Sequence, residues 1–281
     1  MNSGAYAGRS GIGPPYLLRH GQMFGLKKWR RNRLANRPFP DQWLAIAERN
    51  VPLYRRLPAE DKKELHRHIL IFTAEKKFEG CAGLQITDEI KVTVAAQACV
   101  LLLHRKTDYY PGLCSILVYP QSYLVQKTQH LVGGLLVEGA DIRLGESWHR
   151  GSVVLSWDDV RRSTADIHDG HNIVLHEFAH QLDSSGGKGD STPVLQRRST
   201  YIAWARILQK DYDRLRREVS RHCDTLLDEY GATNPAEFFA VATEFFFERP
   251  KELQRLHPDL YEELKCFYQQ DPASLQKGID G

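Results

Sequence analysis

The sequence predicts an α+β protein, mainly helical with a small mixed sheet. Apolar residues recur at helical spacing before residue 80, short β-branched runs cluster between residues 83 and 156, and helical periodicity then runs to the C-terminus. Residues 1–37 read as a basic, disordered tail. Gly and Ser dominate its start, and Lys27, Lys28, Arg30, Arg31, Arg33 and Arg37 follow with no acidic residue between them. A basic arm for an acidic partner is the competing reading, but Trp29 alone offers little to stack or insert. Residues 38–281 read as a single domain whose C-terminal part is helical. Asp41 to Arg49 and Pro58 to Phe78 are expected helices, the second presenting Leu65, Ile69 and Phe72. His66 and His68, two apart, do not share a helix face and read as surface or packing residues.

Gly83 to Val94 suggests a short strand pair and Ala95 to His104 a buried helix. Ile116 to Tyr119, Gly133 to Val137 and Ser152 to Ser156 are expected strands. Ser184 to Ser199, with Gly186, Gly187, Gly189 and Pro193, reads as a loop. Tyr201 to Arg221 reads as a helix whose basic face is interleaved with Asp211, Asp213 and Glu218, hence a solvated surface.

One segment carries chemistry. His176-Glu177-Phe178-Ala179-His180 is an HExxH pattern within the apolar run Ile173, Val174, Leu175, Phe178, Ala179 and Leu182. Two histidines four apart on a helix point from nearly the same face, so both imidazoles can reach one ion. Glu177 sits just off that axis, placed to take a proton from water rather than to bind metal. Three such polar groups in an apolar run are costly unless paired or metal-bound. Asp169 and Gly170 suggest where the helix starts, and Ser184 to Gly187 where it stops. Asp183, three residues past His180, suits orienting a ligand or capping the helix.

A catalytic zinc takes a third protein ligand. Gly186 stands where a third histidine or aspartate of the metzincin type belongs, which excludes that class. Downstream, Asn234 and Pro235 mark a helix start before the apolar residues from Phe238 to Phe247. Glu237 would present a carboxylate to the core, although a glutamate three residues after an N-cap often folds back on the backbone. Glu244, seven residues on, lies on the same face. Spacing alone leaves both open.

The string His176 to Asp183, with Tyr230 and Asn234-Pro235-Ala236-Glu237-Phe238-Phe239-Ala240-Val241, resembles the Mlc titration factor A family of zinc peptidases. The likeness runs from about Phe39 to about Pro272. It includes Ile116 to Pro120, Arg150 to Trp157 and Cys266 to Pro272. The catalytic part is also similar to that of anthrax lethal factor. The resemblance implies a zincin-like core, one zinc per chain held by His176, His180 and Glu237, Glu177 as general base, and Tyr230 assisting. It also implies a regulatory partner, since members of that family bind the repressor Mlc. Gly151 to Trp157 is the candidate edge strand for pairing with extended substrate.

Composition agrees with a soluble enzyme. The 38 basic and 35 acidic residues give a net charge of +3, too balanced to indicate nucleic acid. Five cysteines without CxxC spacing, with Cys99 and Cys114 in apolar runs, point to buried free thiols in a reducing compartment. The most apolar run, Val92 to Leu103, is shorter than the roughly 20 residues of a spanning helix, and Met1 to Pro15 does not read as a secretion signal. The expectation is a cytoplasmic zinc metallopeptidase, aminopeptidase-like or a narrow endopeptidase, linked to regulation of sugar uptake. It would act on peptide or protein substrates, with neither nucleic acid nor membrane as partner. The alternative is a regulatory protein that sequesters an Mlc-like repressor, its peptidase activity secondary.

Overall fold

A computed structural model describes residues 17–106, 108–121, 123–130, 136–143, 145–146, 151–185 and 198–276, with side chains over 25–106, 108–121, 151–183 and 204–276. Four helices come first: α1 (Leu17–Ala35), α2 (Asp41–Asn50), α3 (Pro52–Arg56) and α4 (Ala59–Glu75). Strand β1 (Lys77–Gly80), helix α5 (Asp88–Val100) and strand β2 (Ser115–Tyr119) follow as a parallel strand–helix–strand unit. A hairpin of β3 (Tyr123–His130) and β4 (Leu136–Arg143) precedes β5 (Gly145–Glu146) and β6 (Ser152–Ser156). The rest is helical: α6 (Trp157–Ala165), α7 (Ile173–Ser185), α8 (Arg198–Ser220), a 3-10 turn at Glu229–Ala232, α9 (Pro235–Glu248), α10 (Pro250–Leu256), α11 (Pro258–Tyr268) and α12 (Pro272–Leu275). The main sheet runs β1-β2-β6-β5, with β5 antiparallel to three parallel strands. The expected mainly helical α+β class with a small mixed sheet is what the chain forms.

The core lies between that sheet and two helices that are apolar nearly all round. In α5 every residue from Val92 to Val100 is buried, and in α9 every residue from Phe238 to Glu248. Helix α7 packs against both and against β6, and Phe178 sets its ring among Phe72 and Tyr110, with centroids at 5.7 and 4.9 Å. Each fully buried aromatic of this kind contributes about 1.5–3 kcal/mol.

Several expectations need correction. The strand pair at Gly83 to Val94 does not form, because Thr87 caps a helix there. Its side chain accepts the amide of Ile90, and Asp88 and Glu89 fill the first turn. The β-branched residues that suggested strands instead pack on all sides of α5. That helix ends at Val100, and the chain turns through to His104, whose φ is 62°. Helix α4 stops at Glu75 because Lys77 and Phe78 hydrogen-bond into the sheet. Cys99 is buried as expected, but Cys114 is exposed; all five cysteines are free.

The basic segment is helical from Leu17. Arg31 grips Glu75 through two nitrogens at 2.7 and 2.8 Å and also bonds Asp108, and Leu34 is buried. That docking is incompatible with a disordered tail reaching residue 37, and residues 1–16 lie outside the described part. Strand β6 is flanked by β2 along its length and by β5 at Val154 and Leu155, so part of the pairing expected of Gly151 to Trp157 is already taken up within the sheet. His66 and His68 are packing residues, the first stacked on Phe39 at 3.9 Å and the second bonded to Tyr109. The solvated reading of α8 fits its ion pairs Lys210–Asp259 and Arg214–Glu218 but not Asp211, which is buried against His257 at 2.7 Å. The loop expected at Ser184 to Ser199 falls mostly outside the described residues.

Gly170 has a φ of 82°, and a Cβ there would lie 2.5 Å from the Phe245 ring of α9. Gly83 has the same backbone sign, with nothing within 4 Å. Gly83→Ala should therefore lose about 1 kcal/mol through strain alone, and Gly170→Ala about 2–4 kcal/mol through strain plus overpacking. Urea midpoints at constant m-value check the difference.

Candidate metal centre

The site is built across α7 and α9. The loop before α7 delivers Asn172, whose side-chain oxygen accepts the amide of Leu175 at 3.0 Å and caps the helix. The start falls at Asn172 rather than at the expected Asp169 and Gly170. From there His176 and His180 project together, their rings 4.8 Å apart between centroids. At the start of α9, the side-chain oxygen of Asn234 accepts the amides of both Ala236 and Glu237, at 2.9 and 3.0 Å. Glu237 does not fold back on the backbone; its carboxylate reaches across to α7 and meets His176 and His180.

Three donor atoms meet there. His176 Nε2 and Glu237 Oε2 are 3.0 Å apart, His180 Nε2 and Glu237 Oε2 are 3.2 Å, and the two imidazole nitrogens are 3.2 Å. A tetrahedral zinc with bonds of about 2.0–2.1 Å separates its ligands by roughly 3.3 Å. The triangle fits such an ion, and these three residues form the one group suited to a metal among the described residues.

Charge points the same way. Burial disfavours charge on His176, but the carboxylates of Glu237 and Glu244 outweigh that and raise its affinity for a proton. Burial would raise Glu237, and its contacts with the two histidines lower it instead. Glu177 is 4% exposed, and burial lifts its carboxyl to about 7 against the pull of both histidines. Three carboxyl groups face two imidazoles here, so the cluster favours a positive charge on or between its members.

Glu244, the competing residue, lies on the other side of the ring. Its Oε1 meets His176 Nδ1 at 2.7 Å, and its other oxygen accepts the amide of Asn172. That contact fixes which nitrogen of His176 faces the triangle. Asp183 was expected to orient a ligand or cap the helix; for His176 the orienting carboxylate is Glu244. Behind it, the Asn172 amide group donates to Gln97 of α5 at 2.8 Å and to Glu248 of α9 at 3.0 Å. Sequence reading missed Asn172, Gln97 and Glu248. Their signal was a polar letter inside an apolar run, as with Gln97 between Val92 and Leu103.

Tyr230 is 55% exposed, and its ring lies 6.0 Å from that of His176. Asp228 holds it by accepting its backbone amide at 2.7 Å, and the other oxygen of Asp228 lies 3.5 Å from His171 Nε2. Gly231 beside it is pressed against Leu215 and Val241, where a Cβ would come within 3.4 Å of both. No described helix is long and apolar enough to cross a membrane.

Comparison with known proteins agrees with this geometry. A family model described as glucose-regulated metallo-peptidase M90 matches residues 26–269. An uncharacterized Synechocystis sp. protein, slr2042, is 40% identical over 245 residues, covering 87% of this chain and 89% of its own. Proteins named Mlc titration factor A from Yersinia pestis and Yersinia pseudotuberculosis are each 30% identical over 231 residues, covering 81% of this chain and 84% of theirs.

Two stability predictions arise from the polar cluster. Asn172→Ala removes a cap and strands Gln97 and Glu248, so unfolding should become easier by about 2–4 kcal/mol in guanidinium titration. Burial raises the Glu248 carboxyl to about 9, with the Asn172 bond pulling the other way, so the folded chain keeps a proton that the unfolded chain releases near 4.5. Stability should then fall as pH rises between those values. Glu248→Gln should flatten that fall, and a slope equal to the native one contradicts the assignment.

Proposed function

The chain belongs to the glucose-regulated metallo-peptidase M90 family, and from that premise we propose a zinc-dependent peptidase that hydrolyses peptide bonds with Glu177 as general base. The observation that carries this reading is the triangle of His176, His180 and Glu237 beside a buried Glu177. Zinc, when bound, polarises a carbonyl and brings the pKa of its water to about 7. Each of the chain's own groups then has a task. Glu177 takes the water proton and later hands it to the leaving amine. Tyr230 donates a hydrogen bond to the oxygen on which negative charge develops. Glu244 holds His176 in the tautomer that leaves Nε2 free to bind. Tyr230 stands on the exposed side of the site, which suits an aminopeptidase-like or narrow endopeptidase action on an accessible peptide. We place the protein in the cytoplasm, in keeping with five free cysteines, and link it to regulation of sugar uptake through the family's description.

A second reading rests on the name of the Yersinia relatives, Mlc titration factor A. In it the chain binds an Mlc-like transcriptional repressor, and hydrolysis is secondary.

Glu177→Gln should cut kcat/KM on a chromogenic peptide by about 10²–10⁴ while zinc content stays at one per chain. A protein equally active without that carboxylate has another base. Cells in which the variant still performs the protein's role would favour the binding reading. Glu237→Ala should lose zinc outright, whereas Glu244→Ala should keep it with affinity weakened about 10–100-fold, both read by metal analysis after dialysis.

A further inference from the structure

Two residues at the rim of the histidine cluster make contacts that the proposed reaction does not use. The Asp228 carboxylate is shared between two stretches of chain. Its Oδ1 accepts the backbone amide of Tyr230 at 2.7 Å, and its Oδ2 stands 3.5 Å from His171 Nε2. Tyr230 belongs to the turn that leads into α9, and His171 to the loop that leads into α7. One carboxylate thus spans the entrances of the two helices that carry His176, His180 and Glu237.

Both ends of this span are anchored. On the Tyr230 side, the Gly231 amide donates to the Asp228 carbonyl at 3.0 Å and the Thr233 amide to the Tyr230 carbonyl at 3.1 Å. The Tyr212 hydroxyl of α8 reaches the Ala232 carbonyl at 3.4 Å, and Gly231 is buried. On the other side, the His171 amide donates to the Asp169 carboxylate at 2.9 Å. The next amide, that of Asn172, goes to Glu244, the carboxylate that meets His176 Nδ1. His171 is therefore one residue away from the contacts that set the His176 ring.

Tyr230 is 55% exposed, so burial gives it little purchase. By fixing its backbone, Asp228 sets the direction in which the side chain leaves the turn. A partly exposed ion pair such as Asp228–His171 contributes little to stability, and its value lies in placement. Placement matters for an oxyanion donor, since a shift of about 1 Å can cost about 100-fold in rate. We infer that Asp228, braced by His171, is a positioning residue that aims the Tyr230 phenol at the oxygen on which negative charge develops. The inference rests on the peptidase reading and gives neither residue a bond-making step.

Steady-state kinetics of the zinc-loaded chain on a chromogenic peptide test it with D228A, D228N, H171A, Y230F and D228A/Y230F. D228A should lower kcat about 10–100-fold, with KM nearly unchanged and zinc retained. Asn at this position keeps an acceptor for the amide, so D228N should recover most of that loss. H171A leaves the turn capped and should lose about 3–10-fold in kcat. D228A/Y230F should be no slower than Y230F, because an absent phenol cannot be aimed. A double variant slowed by the product of the two single losses overturns the inference, as does H171A and D228A activity equal to the native. Fluorine NMR of protein labelled with 3-fluorotyrosine reads the same hold without turnover. The resonance that Y230F removes should move towards that of free fluorotyrosine in D228A and in H171A, and an unmoved resonance overturns the inference. A native chain that shows this shift yet cleaves no peptide refutes the peptidase reading and leaves the hold on Tyr230 standing.

Discussion

The short contact between His176 Nδ1 and Glu244 Oε1, at 2.7 Å, joins α7 to α9 in a largely buried part of the molecule. A carboxylate left unpaired there would cost several kcal/mol, and an unpaired imidazole N–H would add to it. The two helices must therefore keep one register and one separation. Phe178 and Phe238, on the faces turned away from this bridge, then fall into the core. The Asn172 side chain extends the constraint to α5 through Gln97, so three helices are tied by polar contacts inside an apolar body.

Two local events set up the cluster and one distant event completes it. Asn172 begins α7 and Asn234 begins α9, each by accepting backbone amides. Those caps decide which turn of each helix faces the other. Bringing Glu237 to within 3.0 Å of His176 then closes a loop of about 60 residues, at an entropic cost that grows only slowly with length. Tyr230 arrives with the same closure, because its 3-10 turn leads directly into α9.

Much of this was legible in the sequence and some was not, for identifiable reasons. The spacing of His176 and His180 needs only helical geometry, so their common face was readable. Asn234-Pro235 told where α9 begins, but not that the Glu237 carboxylate would turn away from its own backbone to meet two histidines of α7. The ambiguity between Glu237 and Glu244 could not be broken by spacing, since seven residues make two turns and both side chains face α7. The structure separates them by which imidazole nitrogen each one meets. In α5, β-branched residues at Val92, Thr93 and Val94 imitated a strand, while the cap at Thr87 was the better guide. Arg31 could not be told from its basic neighbours by composition, because its partners Glu75 and Asp108 are remote in sequence.

Positions 97, 172, 244 and 248 form a set in which each member satisfies at least one other. Changing one alone leaves a polar atom stranded in the interior, and the loss is repaired only when its neighbour changes as well. Descendants of such a protein can rebuild its surface freely. They must inherit these four letters as a block, or replace them together.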